Sequence, residues 1–198
     1  MEFGFTEQQE LMRRTLDELL GRVCPPEYAM ACDQKGEAPV EAYAALAEGG
    51  WIGVSVPEEY GGMGGNALDL AIVLETAGTH YLDLATMIFR NVCYGCDAVL
   101  MSGTDAQKKE IIPAVVEGKA FFAFSLTEPD AGSDAAAIIT RADREGDTFR
   151  ITGTKNFTSG MPTATHILIA ARTDRSGERH QGITNFILPA DREGIELK

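Results

Sequence analysis

The sequence predicts an α+β protein, a helical bundle over residues 1–118 followed by an antiparallel β unit over residues 119–198. Two observations predict it. As far as Gly118, apolar residues recur at intervals of three and four, the period of a helix; from Lys119 they fall in short runs and alternations, the pattern of strands. The 198 residues hold one ordinary domain or two small ones, and 44% hydrophobic content supplies a substantial core.

The first helix is announced by Thr6 and Gln9 at capping-box spacing, and its apolar stripe is Leu11, Met12, Leu16, Leu19, Leu20 and Val23. Pro39 suits the first turn of PVEAYAALAE, which Gly49 and Gly50 end. WIGVSVPEEYGGMGG reads as a connector, because Pro57 and its glycines leave little capacity for regular structure. Helical patterns resume over 67–77 and 83–101, and Thr104 caps DAQKKEII ahead of Pro113. About five helices are expected, packed through their apolar faces.

Beyond Lys119, AFFAFSL is an apolar run of strand length. AAIITRADREGDTFRITGTKNF reads as two strands around the turn REGD, and HILIAART and GITNFILPA as one strand each. Phe149 and Ile151 alternate with Arg150 and Thr152, which predicts a sheet with one buried face. GIELK opens what reads as a further strand, so the chain is expected to be part of something larger.

Thirty acidic residues against seventeen basic ones, a formal charge of -13, disfavour a nucleic-acid partner and an anionic membrane surface. The start MEFGFTEQQE lacks the basic and apolar regions of a signal peptide, and no later stretch reads as an unbroken membrane span. A cytoplasmic address without membrane insertion is the expectation, with an organelle as the alternative. Cys24, Cys32, Cys93 and Cys96 are too few for a disulfide framework, and the CxxC of VCYGC lacks further ligands at zinc spacing. With His80, His166 and His180 far apart, no metal site is expected.

Three stretches bear on chemistry. GGMGG lacks the lysine and hydroxyl of a phosphate loop and reads as a turned connector. LTEPDAGSDA leaves an apolar strand through a sharp corner: Pro129 keeps Glu128 out of helical geometry, Gly132 permits close approach, and Ser133 sets a hydroxyl beside exposed amides. The corner reads either as an anion-binding site, with Thr127 offering a hydroxyl to a planar heterocycle, or as an ordinary loop whose Asp130 and Ser133 bond only their own backbone. In TGTKNFTSG, Phe157 on a strand followed by Thr158 and Ser159 would suit the face and edge of a flavin-like ring; the other reading is a core phenylalanine before a polar turn.

FSLTEPDAGSDA, GDTFRITGTKNFTSG, HILIAARTD and GITNFILP, preceded by FTEQQELMRRTLDELL, GWIGVSVPEEYGGMGG and GTDAQKKEIIPAVVEGKAFFAF, together resemble the acyl-CoA dehydrogenase family of flavoproteins. The resemblance covers essentially the whole chain. It implies an N-terminal helical domain, a middle β domain and a C-terminal four-helix bundle beyond this chain, with FAD between the last two. By the same resemblance Phe124, Leu126 and Thr127 line the flavin ring, and Gly132 and Ser133 serve the cofactor's polar groups or the substrate's thioester end. Phe157, Thr158 and Ser159 match the family's second flavin-contacting strand, standing where many members have Trp-Ile-Thr.

The reaction implied is oxidation of an acyl-CoA thioester to a trans-2-enoyl-CoA in fatty acid metabolism, with electron-transfer flavoprotein or a similar carrier as acceptor. The family's base is a carboxylate of the C-terminal bundle, so no catalytic residue is assigned here and the chain is expected to be inactive alone. The family also implies a homo-oligomer, dimer or tetramer. The alternatives are a flavin oxidase or monooxygenase of the same fold, and a non-catalytic fragment or subunit completed by another chain.

Overall fold

The computed structural model describes residues 4–198; residues 1–3, which open the acidic start read above against a signal peptide, lie outside them. The chain divides into two compact units, Met1–Phe121 and Phe122–Lys198, so Lys119–Phe121 belong with the helices.

In the first unit, α1 (Glu7–Val23) begins with the capping box of Thr6 and Gln9 and buries Leu16 and Leu20. A helix the pattern did not foretell follows, α2 (Pro26–Lys35), with proline at its first position and Gly36 in the left-handed conformation at its end. Pro39 precedes α3 (Val40–Glu48), and Asn66 with Asp69 forms a second capping box for α4 (Ala67–His80). The glycine-rich connector packs back on the chain before it: the amides of Met63, Gly64 and Gly65 donate to the carbonyls of Gly53, Val56 and Val54 at 2.8, 2.9 and 2.9 Å. A Cβ on Gly62 would overlap the Val56 carbonyl, which is why glycine stands there.

The helix expected over 83–101 is three pieces in series: α5 (Leu82–Phe89), a π-helical segment (Arg90–Asp97) and α6 (Ala98–Ser102). The wider turn buries Asn91, Val92, Gly95 and Cys96 together, and Asn91 Nδ2 donates to the Tyr43 hydroxyl at 2.8 Å. Burial, then the nearby Cys96, pushes the Tyr43 phenol above its ordinary range. Burial likewise pushes the Cys96 thiol up to about 12 and raises Cys93, the behaviour of thiols packed as small hydrophobes. Leu82–Ser102, 21 residues, contains an 18-residue stretch of mean hydropathy 1.2, long and apolar enough to cross a membrane, although Asp83, Arg90 and Asp97 hide that run from a reading for unbroken apolar length. Half of that stretch is buried within the protein, as a core helix is.

Pro113 does not end the last helix, α7 (Asp105–Val116), but sits inside it. The intrahelical bond it removes would have reached Lys109, which is exposed, while Ile111, Ile112, Val115 and Val116 are buried on either side of it. Packing outweighs the lost bond.

The second unit is one sheet of five strands: β1 (Phe122–Ser125), β2 (Arg141–Glu145), β3 (Thr148–Thr152), β4 (His166–Arg172) and β5 (Ile183–Pro189). It is mixed where antiparallel pairing alone was expected. β2–β3 and β4–β5 are antiparallel, but β4 runs parallel to β1, from Phe122↔His166 to Ser125↔Ile169, and meets β2 in parallel at Arg141↔Arg172. The physical reason is that long connections, not hairpin turns, lead from β1 to β4 and from β2 to β4. β4 is therefore central, with β5 along one edge and β1 then β2 along the other. Its run HILIAAR buries Ile167, Leu168, Ala170 and Ala171. The predicted buried face of β3 is not found: Phe149 is exposed, tilted against Phe186 of β5 at 5.1 Å.

Candidate functional site

Both stretches singled out from the sequence lie in the sheet unit, and the structure ties them together at the end of β1. The chain leaves Ser125 and turns tightly at Glu128–Ala131, closed by Glu128 N to Ala131 O at 2.9 Å and Ala131 N to Glu128 O at 3.2 Å. After β3, Gly153 passes the Thr140 side chain so closely that a Cβ there would collide with it. The second stretch then meets the first: the Asn156 amide donates to the Thr127 carbonyl at 2.8 Å, and the Thr158 and Ser125 hydroxyls are 3.0 Å apart.

At the centre of this junction is Glu128, 4% exposed. Its Oε2 accepts from the Ile139 amide at 2.7 Å; its Oε1 accepts from the Thr140 amide at 2.9 Å and from Lys155 Nζ at 2.8 Å. Lys155 Nζ donates a second bond to the Leu126 carbonyl at 2.9 Å. Burial pushes the Glu128 carboxyl up, but the Ile139 amide, the Lys155 ammonium and the Thr140 amide prevail and hold it down at about 2. Glu128 is thus held ionised near neutral pH and is poorly suited to act as a general base there.

The residues assigned by resemblance are placed as follows. Phe124 is half-buried on β1. Leu126 packs on the cluster of Ala131, Ile138 and Ala170, so its side chain serves the core. Thr127 is half-buried, Gly132 and Ser133 are exposed, and a Cβ on Gly132 would meet open space. Phe157, Thr158 and Ser159 do not lie on a strand. β3 ends at Thr152, and Phe157 takes a left-handed φ of 56°, which turns the chain and breaks any ladder; the Ser159 amide then donates to the Phe157 carbonyl at 3.0 Å. Phe157 is 87% exposed, so it is no core phenylalanine.

Three contributors were missed by the sequence reading. Lys155 and Ser125 are described above. Arg172 donates to the carbonyls of Ile138 and Ala136 at 2.9 and 2.6 Å and to those of Gln181 and Arg179, both at 3.1 Å, pinning the segment before β2. A lone lysine amid TGTKNFTSG and an arginine closing an apolar strand were the available signals.

The chemistry left open is that of a polar-edged ligand. The hydroxyls of Thr127, Ser133 and Ser159 and the amides of Gly132 and Ser133 make no hydrogen bond among the described residues. Free hydroxyls suit the edge of a planar heterocycle, successive free amides suit a phosphate oxygen, and an exposed aromatic ring suits a π-face.

A helical unit followed by a mixed sheet is the arrangement of the N-terminal and middle domains of one class of flavoproteins. The chain belongs to the acyl-CoA dehydrogenase family: the model for "Acyl-CoA dehydrogenase, N-terminal domain" matches residues 6–119 and that for "Acyl-CoA dehydrogenase, middle domain" matches residues 123–198. It is 35% identical over 197 residues to a 3-(aryl)acrylate reductase of Clostridium sporogenes, covering 98% of this chain and 51% of that protein. It is 29% identical over 193 residues to the caffeyl-CoA reductase-Etf complex subunit CarC of Acetobacterium woodii, again 98% and 51%. The solved butyryl-CoA dehydrogenase from Megasphaera elsdenii superposes with a TM-score of 0.87 at 29% identity, over 98% of this chain and 51% of that one. The chain spans about half the length of these relatives. Members of the family use FAD, and the free hydroxyls, free amides and exposed ring of this sheet unit fit that group.

Proposed function

We propose that this chain supplies the N-terminal half, and part of the FAD site, of an enzyme that oxidises an acyl-CoA thioester to a trans-2-enoyl-CoA. The observation that carries the reading is the junction at the end of β1, where two loops bearing unpartnered hydroxyls are held together by Lys155, Glu128 and Asn156. FAD, when bound, would supply the hydride-accepting chemistry of such an oxidation. The chain's own residues bind and orient: Thr127 and Ser159 offer hydroxyls to the ring's edge, Gly132 and Ser133 offer amides to an anionic group, and Phe157 covers an aromatic face. The α-proton goes to a base that is not among the assigned residues, since Glu128 is locked in its ion pair.

Electron-transfer flavoprotein or a similar carrier is the proposed acceptor, with a homo-oligomer or a complementing chain completing the site; the Etf complex named for CarC supports the first. A cytoplasmic address and a place in fatty acid metabolism belong to the same proposal. The names of the two reductase relatives favour a second reading, the same bond chemistry run toward the saturated product.

The test is the visible spectrum of the purified protein after incubation with FAD and desalting, then after anaerobic acyl-CoA. Retained flavin that bleaches supports the dehydrogenase. Retained flavin that is unreactive until reduced, and is then reoxidised by an enoyl or aryl-acryloyl thioester, favours the reductase. No retained flavin, even with the complementing half added, rejects both.

A further inference from the structure

We propose that Glu128 and Lys155 are positioning residues of the flavin site: their ion pair fixes the spacing between the loops 126–133 and 155–160 and thereby the seat of the cofactor. The proposal rests on the flavoprotein reading above.

Three stretches distant in sequence converge on this one carboxylate. Glu128 leads the first loop, Ile139 and Thr140 precede β2, and Lys155 opens the second loop. Both side chains are removed from water, at 2% exposure for Glu128 and 8% for Lys155, so each charge depends on the other. The second bond of Lys155, to the Leu126 carbonyl, makes the lysine a bridge between the two backbones.

Neither loop has regular structure along its length, so directional bonds are what set their separation. The unpartnered hydroxyl of Thr127 is adjacent to Glu128 in the chain, and the exposed ring of Phe157 lies two residues beyond Lys155. Neutralising either partner leaves the other buried without its counter-charge, and water enters by parting the loops. Neither residue is catalytic: the pair acts through Thr127 and the 157–159 segment.

The experiment compares the FAD dissociation constant, the visible spectrum and the reduction potential of the bound flavin in the wild type, Glu128→Gln, Lys155→Met and Lys155→Arg. Glu128→Gln and Lys155→Met are expected to weaken FAD binding by about tenfold or more, with native far-UV circular dichroism and an altered spectrum and potential. Lys155→Arg, which keeps charge and donors, is expected within about threefold of wild type. Should Glu128→Gln not fold, Lys155→Met carries the test, because there Glu128 keeps both amide donors. Wild-type affinity, spectrum and potential in a folded Lys155→Met protein overturn the proposal, as does a drop in melting temperature with flavin binding untouched. A wild type that binds no FAD overturns the flavoprotein reading itself, and this proposal with it.

Discussion

The Thr158 hydroxyl lies 3.0 Å from the hydroxyl of Ser125, a contact between residues 33 apart that fastens the second loop to the end of β1. Ser125 is buried, so the bond is sheltered from water on that side. Ser125→Ala should lower stability by about 1 kcal/mol, with Thr158→Val giving a similar loss and the double variant less than the sum. Urea unfolding of the four proteins checks it. Additive losses would mean that the two hydroxyls do not interact.

Glu128 gives the protein an acid-sensitive element. Its folded-state value of about 2 lies below its ordinary 4.5, so its ionised form favours the folded state. That contribution is complete above pH 4.5 or so and is lost as the pH falls toward 2. It amounts to about 3 kcal/mol at neutral pH, of which about 2 kcal/mol is gone by pH 3. The stability difference between wild type and Glu128→Gln should therefore shrink between pH 6 and pH 3. A constant difference over that window would show that Glu128 is not ionised in the folded protein at pH 6, or that its value is not depressed.

The Thr127 hydroxyl has no partner among the described residues although its carbonyl is held by Asn156. Thr127→Val keeps the shape and removes only the free donor. FAD affinity should fall by up to about tenfold, the worth of roughly one hydrogen bond, while melting temperature stays unchanged. Unaltered affinity would place this hydroxyl away from the cofactor.

Where one residue type has one dominant physical role, the sequence was a sufficient guide. The Thr6–Gln9 capping box starts α1 as its spacing demands, and the two turns around Gly49 and Gly146 fall between the elements they were read to separate. The reading failed where long-range packing overrode local preference. Pro113 is carried through α7 by the four buried aliphatic residues around it, and the parallel pairing of β4 with β1 is decided by connections no local alternation reports. In the site, the residue types Thr, Gly, Ser and Phe pointed to a polar-edged ligand, but the glutamate and lysine that hold them together are 27 residues apart and carry no local pattern. The strand expected through Phe157 stops at Thr152, and the positive φ that turns the chain at Phe157 is one that nothing in Asn-Phe-Thr announces.

That φ is itself the basis of a prediction. Phe157 adopts the left-handed conformation that disfavours residues with a Cβ, yet the residue is 87% exposed and gains little from burial within this unit. A strained, exposed aromatic residue marks a candidate contact for a bound group. Phe157→Gly relieves about 1–2 kcal/mol of backbone strain and gives back up to about 1 kcal/mol in unfolded-chain entropy. The variant should be as stable as the wild type or slightly more so, while FAD binding weakens through loss of the ring. Thermal unfolding of the flavin-free protein, paired with a flavin titration, separates the two effects. A variant that is less stable without flavin would mean that the ring packs in the folded unit after all. Unchanged flavin affinity would remove Phe157 from the site.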